Sequence, residues 1–276
     1  MPSGKKSREQ RRAAAVKPPP PVRSRGGGGT RARQASPRTL AIGGGIVAVV
    51  AVIIVLAVVL GSGSSGGGLP KNHVAVGSIA NGLPGASQVA AEFKGIPQTG
   101  TTLGWPFAPV TLTEYIDLQC PVCRDFETTM FPDFVTKYVR TKKVKVVMKA
   151  WAFIGPDSIR GQKVTLAAAK QNKAFNFAAL LYDNQQTENT GWLTDQMLYS
   201  IAAGVPGLKI DPLFAERNSS AVKKEATQVA ADAQAFKVSG TPGLFINKSG
   251  QNPKLYTIGM PSSVSNFYAA LNRALG

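Results

Sequence analysis

Residues 110–123 read VTLTEYIDLQCPVC. The first nine, 110–118, are rich in β-branched residues and alternate apolar with polar side chains, the pattern of a strand. They run straight into Cys120-Pro121-Val122-Cys123, after which residues 124–139 repeat at helical spacing. Residues 144–153, VKVVMKAWAF, read as the next strand. Strand, helix and strand at this spacing make a βαβ unit, which calls for parallel pairing and a right-handed crossover.

Beyond that unit the pattern is almost entirely helical. Helices are expected over about 157–170, 173–183, 194–203 and 211–236, the last broken near 218–220. Asp157, Thr194 and Asp211 are expected as N-caps, with Pro212 at a first helical position. Strands at 243–247 and 255–258, a turn at 248–252 and a helix from about 261 follow. The order predicts one α/β domain over about 86–276, interrupted by a helical insertion at about 156–236.

Toward the N-terminus the composition changes twice. The 276 residues carry a formal net charge of +17, but residues 1–39 hold 11 of the 32 basic side chains and one acid, Glu9. With four consecutive prolines, four consecutive glycines and hardly a large apolar residue, that stretch reads as a disordered tail. Residues 40–60, LAIGGGIVAVVAVIIVLAVVL, have no polar side chain. As a helix they span about 31 Å, the thickness of a bilayer core. Five arginines lie in the 19 positions before this run, and only Lys71 in the 20 after it. The positive-inside rule then puts the tail in the cytoplasm and the folded domain outside the cell membrane. The length of the apolar run favours an uncleaved signal anchor over a cleaved signal peptide. Residues 61–85, opening GSGSSGGG, read as a flexible linker spanning roughly 27 Å. His73, the single histidine, falls in that linker and is given no catalytic role. The basic tail is read as a topology signal, so no nucleic-acid partner is expected.

Cys120 and Cys123 are the only cysteines. A cysteine at the start of a helix meets unpaired N–H groups and the positive end of the helix dipole, which favour its thiolate. Cys120 is therefore the expected attacking thiol and Cys123, three residues on, the resolving one. A structural disulfide remains an alternative, although a four-residue loop gains only ~2 kcal/mol from chain entropy. Half of a metal site is another, but two Cys and one remote His fall short of four ligands. No metal and no cofactor beyond the redox-active disulfide is expected.

These residues carry a family resemblance. Leu103-Gly104, Ala108-Pro109-Val110-Thr111-Leu112, Glu114 and Asp117-Leu118-Gln119-Cys120-Pro121-Val122-Cys123 resemble the DsbA-like thiol–disulfide oxidoreductases of the thioredoxin superfamily, above all the membrane-anchored extracytoplasmic members. Ser239-Gly240-Thr241-Pro242-Gly243 is similar to that family's cis-proline loop. The resemblance covers about residues 86–276 and implies a thioredoxin-like fold with an inserted helical domain. It implies that Glu114 is a buried acid moving protons at the resolving cysteine, and that Thr241 and Pro242, with Pro121 and Val122, meet the substrate chain. Asp117 is expected as a solvated strand end, and Trp151 and Phe153 as core residues. Val122 departs from the histidine of the best-known member. Without an imidazolium beside the thiolate, a milder oxidant is expected.

The implied activity is oxidation of cysteine pairs in exported proteins, with reoxidation by a membrane partner, plausibly quinone-linked. A reductase or isomerase of the same fold, and a surface scaffold with an inert disulfide, are the competing readings.

Overall fold

The computed structural model describes residues 68–251, 255–258 and 264–276. The expected tail, the apolar span and the start of the linker (61–67) lie outside the described residues. Among the described residues no helix is long and apolar enough to cross a membrane.

One mixed sheet of six strands organises the domain. The strands are β1 (Gln98–Thr99), β2 (Thr102–Leu103), β3 (Val110–Ile116), β4 (Val144–Ala150), β5 (Gly243–Lys248) and β6 (Leu255–Ile258), in the order β1-β2-β4-β3-β5-β6. β3 is central, parallel to β4 and antiparallel to β5. The βαβ expectation thus holds at β3 and β4. β1 and β2 were not legible in the sequence, since a two-residue strand shows no alternation.

Both faces of β3 are covered, so Thr111 and Glu114 are buried and Thr113 is half-buried. Leu112 and Ile116 join the main core. Tyr115, on the other face, packs with Val229, Ala233, Val238 and Phe245. β4 keeps a cleaner alternation, with Val144, Val146, Met148 and Ala150 inward. Lys149 on its outer side pairs with Asp232 at 2.9 Å.

Among the described residues there are nine α-helices. α1 (Ala86–Phe93) precedes the sheet, and α2 (Pro121–Thr129) follows β3. The expected continuous helix to residue 139 is broken: α3 (Phe131–Phe134) restarts around Pro132, then opens into a π-helical turn, Val135–Val139. Proline cannot donate an N–H to the preceding turn, so a break there follows. α4 (Pro156–Ala169), α5 (Ala174–Asp183), α6 (Asp195–Ala203), α7 (Ile210–Glu216) and α8 (Ser220–Ala235) form the block between β4 and β5. α9 (Val264–Leu275) returns to pack on β5.

Thr194 caps α6 as expected, its hydroxyl accepting from Met197 N at 3.1 Å. Asp157 and Asp211 are not caps. α4 starts at Pro156 behind Gly155, leaving Asp157 buried within its first turn. α7 starts at Ile210 behind Lys209, so Pro212 is its third residue rather than its first. Residues 70–85, expected as part of a flexible linker, form a docked strap beside α7. Ile210 N donates to Ala75 O at 2.9 Å, Gly77 N to Leu208 O at 2.8 Å and Ser78 N to Ala203 O at 2.8 Å. Gly77 allows this approach: a Cβ there would lie 2.3 Å from Val205 O. His73 Nε2 meets Asp211 Oδ1 at 2.7 Å.

Candidate active site

Cys120 is the N-cap of α2, with Pro121 at its first position, where the missing N–H has no intrahelical role. The Cys123 amide donates to Cys120 Sγ at 3.4 Å. Across the mouth, Thr241 O lies 3.4 Å from the same sulfur, and the Thr241–Pro242 peptide is cis. Both thiols are free. Cys120 keeps 5% of its surface and Cys123 none, so only the first sulfur has a path to a second molecule. Pro121 and Val122 are exposed around it.

The two acidities are driven apart. The Cys123 thiol, hydrogen-bonded to Cys120, brings the Cys120 thiol down to about 6. Burial opposes this, and the Thr241 side chain and the amides of Cys123 and Val122 assist it. Burial pushes Cys123 well above the ordinary thiol value, and its bond to Cys120 adds to the rise. At neutral pH, Cys120 is mostly thiolate and Cys123 a thiol, an arrangement that suits exchange with a disulfide.

Asp117 is fully buried, not a solvated strand end. Its carboxylate accepts from Gln119 N at 2.9 Å and from Phe153 N and Ile154 N at 2.8 Å each. Those three bonds turn both chains and end β3 and β4 two and three residues earlier than expected. The turn lifts Phe153 out of the core. It is 48% exposed, its ring 4.7 Å from that of half-buried Trp151, beside the loop entering Cys120.

The helical block holds that loop. Tyr182 OH donates to Asp117 O at 2.9 Å. Gln185 Nε2 donates to Leu118 O and Cys120 O at 3.1 and 3.2 Å. Gln119 bonds Ser158 Oγ and, through both ends of its amide, Asn189. Gly161 lets α4 close on the loop, since a Cβ there would sit 2.9 Å from that of Leu118.

Glu114 is fully buried on β3, with no amide, hydroxyl or ammonium reaching either carboxyl oxygen. Its polar contact is the carboxyl of Glu127 on α2. Two bare carboxylates would repel, so the pair holds at least one proton at neutral pH. Burial raises the pKa of both carboxyls, and for Glu127 repulsion from Glu114 and Glu92 raises it further. Among the described residues no group of three or more His, Cys, Asp and Glu could hold a metal ion.

The structure therefore brings Cys120, Cys123, Pro121, Val122, Thr241 and Pro242 to one mouth, with Glu114 beneath it. Sequence reasoning missed Glu127, although its spacing of four from Cys123 puts both on one helix face. It also missed Gln185 and Tyr182, for which no local signal existed.

The family model Thioredoxin_4, described as Thioredoxin, matches residues 97–256. The probable disulfide bond formation protein D of Bacillus cereus is 30% identical over 158 residues, covering 56% of this chain and 73% of that protein. Its Bacillus subtilis counterpart is 24% identical over 154 residues, covering 52% and 66%. Among solved structures, oxidised BdbD from Bacillus subtilis superposes with a TM-score of 0.57 at 20% identity, covering 65% of this chain and 97% of that one. Wolbachia pipientis α-DsbA1 gives 0.55 at 22%, covering 64% and 90%. With the fold, the paired thiols and these relatives in agreement, the chain belongs to the Thioredoxin_4 family and is a DsbA-like thiol–disulfide oxidoreductase of disulfide bond formation.

Proposed function

We propose that this protein is a membrane-tethered oxidase that makes disulfides in exported proteins outside the cell membrane. The observation carrying the reading is the opposed acidity of Cys120 and Cys123. A stabilised Cys120 thiolate favours the reduced enzyme and so makes its disulfide an oxidant. The apolar run 40–60, flanked by arginines on one side, supports the tether and its orientation.

A client thiolate attacks Cys120 Sγ and breaks the Cys120–Cys123 bond. Cys123 leaves with the electron pair and takes a proton. The client's second thiolate then attacks the client sulfur of the mixed disulfide and expels Cys120 as thiolate. Two electrons have passed from client to enzyme, and a membrane partner of quinone-linked type takes them on. Thr241 and Pro242 pair with the client chain across the mouth, while Pro121, Val122 and Phe153 form its apolar rim.

The test is single-turnover oxidation of a reduced two-cysteine peptide by the oxidised full chain. One peptide disulfide per enzyme is expected and none with Cys120→Ala, while Cys123→Ala given a disulfide-linked peptide should accumulate the mixed disulfide, because its Cys120 thiolate can attack but no second thiol resolves the product. A membrane-impermeant maleimide should label Cys120 in intact cells after mild reduction. A protein that reduces peptide disulfides but does not form them would overturn the direction, and cytosolic labelling would overturn the tether.

A further inference from the structure

The end of the sheet opposite the mouth is rich in positive charge and poor in negative. β3 and β4 begin there and β5 ends there, Val110 standing beside both Val144 and Lys248. The mouth lies past the other end of β3, seven residues and about 20 Å away. The stretches 93–113, 134–156 and 233–276, which supply this end, contain no Asp and no Glu. Lys142, Lys143 and Lys248 are exposed and Lys145 is half-buried. Among the described residues none of these lysines has a carboxylate within ion-pair distance.

An apolar loop stands among them. Trp105-Pro106-Phe107-Ala108-Pro109 leads from β2 into β3. Ala108 N donates to Trp105 O at 3.0 Å, a turn that puts Pro106 and Phe107 at the tip. Phe107 is 69% exposed, the most of any large apolar side chain among the described residues. The loop is braced. Lys145 Nζ donates to Pro106 O at 2.8 Å, and Lys142 Nζ lies 5.3 Å from the centre of the Trp105 ring. Ser249 N donates to Pro109 O at 2.8 Å and its hydroxyl to Ala108 O at 2.7 Å. Two of the lysines are thus fixed to the loop whose tip they flank, and a phenyl ring is held out in water, where any apolar cover stabilises it.

We propose that this end of the domain docks on an anionic lipid surface, with Phe107 and Trp105 entering the headgroup layer and Lys142, Lys143, Lys145 and Lys248 meeting lipid phosphates. Aromatic rings settle at the membrane–water boundary, and basic residues beside them are drawn to anionic headgroups. The shape favours lipid over an acidic protein. The apolar part is a single protruding tip, which enters between headgroups but gives a protein partner little area to bury. The inference rests on the proposed tether only for the nearness of the membrane, which turns a weak contact into a populated one. Docked in this way, the mouth opens away from the lipid toward arriving client chains. A membrane partner then reaches Cys120 only in the undocked state.

The full chain reconstituted in vesicles with brominated acyl chains tests the docking, since tryptophan quenching reports which end meets lipid. In equal parts phosphatidylcholine and phosphatidylglycerol the wild type should be quenched. The quenching should be lost in Trp105→Phe and kept in Trp151→Phe, whose ring belongs to the mouth end, Trp151 N donating to Ile116 O. Phosphatidylcholine alone should reduce it severalfold, as should about 1 M salt, which shortens the Debye length to about 3 Å. Lys142→Glu/Lys143→Glu/Lys248→Glu and Phe107→Ser should each do the same while oxidising the two-cysteine peptide at the wild-type rate. No quenching, quenching that depends on Trp151 rather than Trp105, or quenching indifferent to lipid charge and to the lysines would overturn the docking. Retention of the wild type on immobilised polyglutamate without quenching by lipid would assign the face to an acidic protein and likewise overturn it. Release of the full chain from the vesicles by alkaline carbonate would overturn the tether instead, and the quenching pattern is read independently of that result.

Discussion

Cys120 owes its acidity first to one neighbour, the Cys123 thiol, and only then to Thr241 and the amides of the helix start. The helix position alone was the reason available from the sequence. The larger contribution comes from a buried thiol that cannot itself ionise. Cys123→Ala removes this donor, so the Cys120 midpoint should move up from about 6 toward the ordinary thiol value. Cys123→Ser keeps a donor and should move it less. The check is the pH dependence of iodoacetamide alkylation. A unit-sized rise would lower the rate at pH 6 about fivefold, and an unmoved midpoint in Cys123→Ala would refute the donor role. A value of about 6 falls between the ~7 of thioredoxin and the ~3.5 of DsbA. With Val122 supplying no imidazolium, a redox titration against glutathione should give a potential below the about −120 mV of DsbA, and an equal or higher one would refute the role given to Val122. Glu127 was readable in principle, four residues from Cys123. Asp117 was not, because nothing in its neighbours announces that amides 36 and 37 residues away will converge on its carboxylate.

Among the elements, β3, β4 and β5 could be placed from their sequences, since each is long enough to show a pattern. Their ends could not, because Asp117 turns the chain through bonds to another strand's exit. The strap at 70–85 was hidden for a related reason: it packs by backbone bonds to α6 and α7, which leave no mark on its own composition. Its one titratable link is His73. The Pro70 carbonyl first, and then Asp211, hold the imidazolium and raise its pKa above 6.5. A raised value in the folded state stabilises docking fully below about 6.5 and loses that contribution as pH rises through the folded value. Limited proteolysis between residues 70 and 76 should therefore be slower at pH 6 than at pH 8. His73→Ala should abolish the difference, and equal cleavage of the wild type at both pH values would rule out the link.

For the molecule as a whole, the buried acids set an opposite trend to ordinary acid denaturation. Burial lifts Glu92 from 4.5 to about 7, and it also lifts Glu114 and Glu127. A carboxyl raised on folding adds stability that is complete below its unfolded value and is lost as pH climbs through its folded one. For Glu92 alone that amounts to about 3 kcal/mol. The oxidised protein, in which Cys120 has no proton to lose, should show a falling urea midpoint between pH 5 and pH 8. Glu92→Gln should flatten the fall, and a flat wild-type curve would contradict the burial of these carboxyls. By itself the sequence determined an α/β plan with an inserted helical block and a reactive Cys-Pro-Val-Cys step, because strand alternation, helix spacing and that step are local signals; the thioredoxin-like plan came with the family resemblance. Only the tertiary structure decided the acid chain, the clasp at Asp117 and the docked strap. Each of these arises where separate elements meet and exclude water, and burial by a distant segment is a property no local stretch of sequence carries.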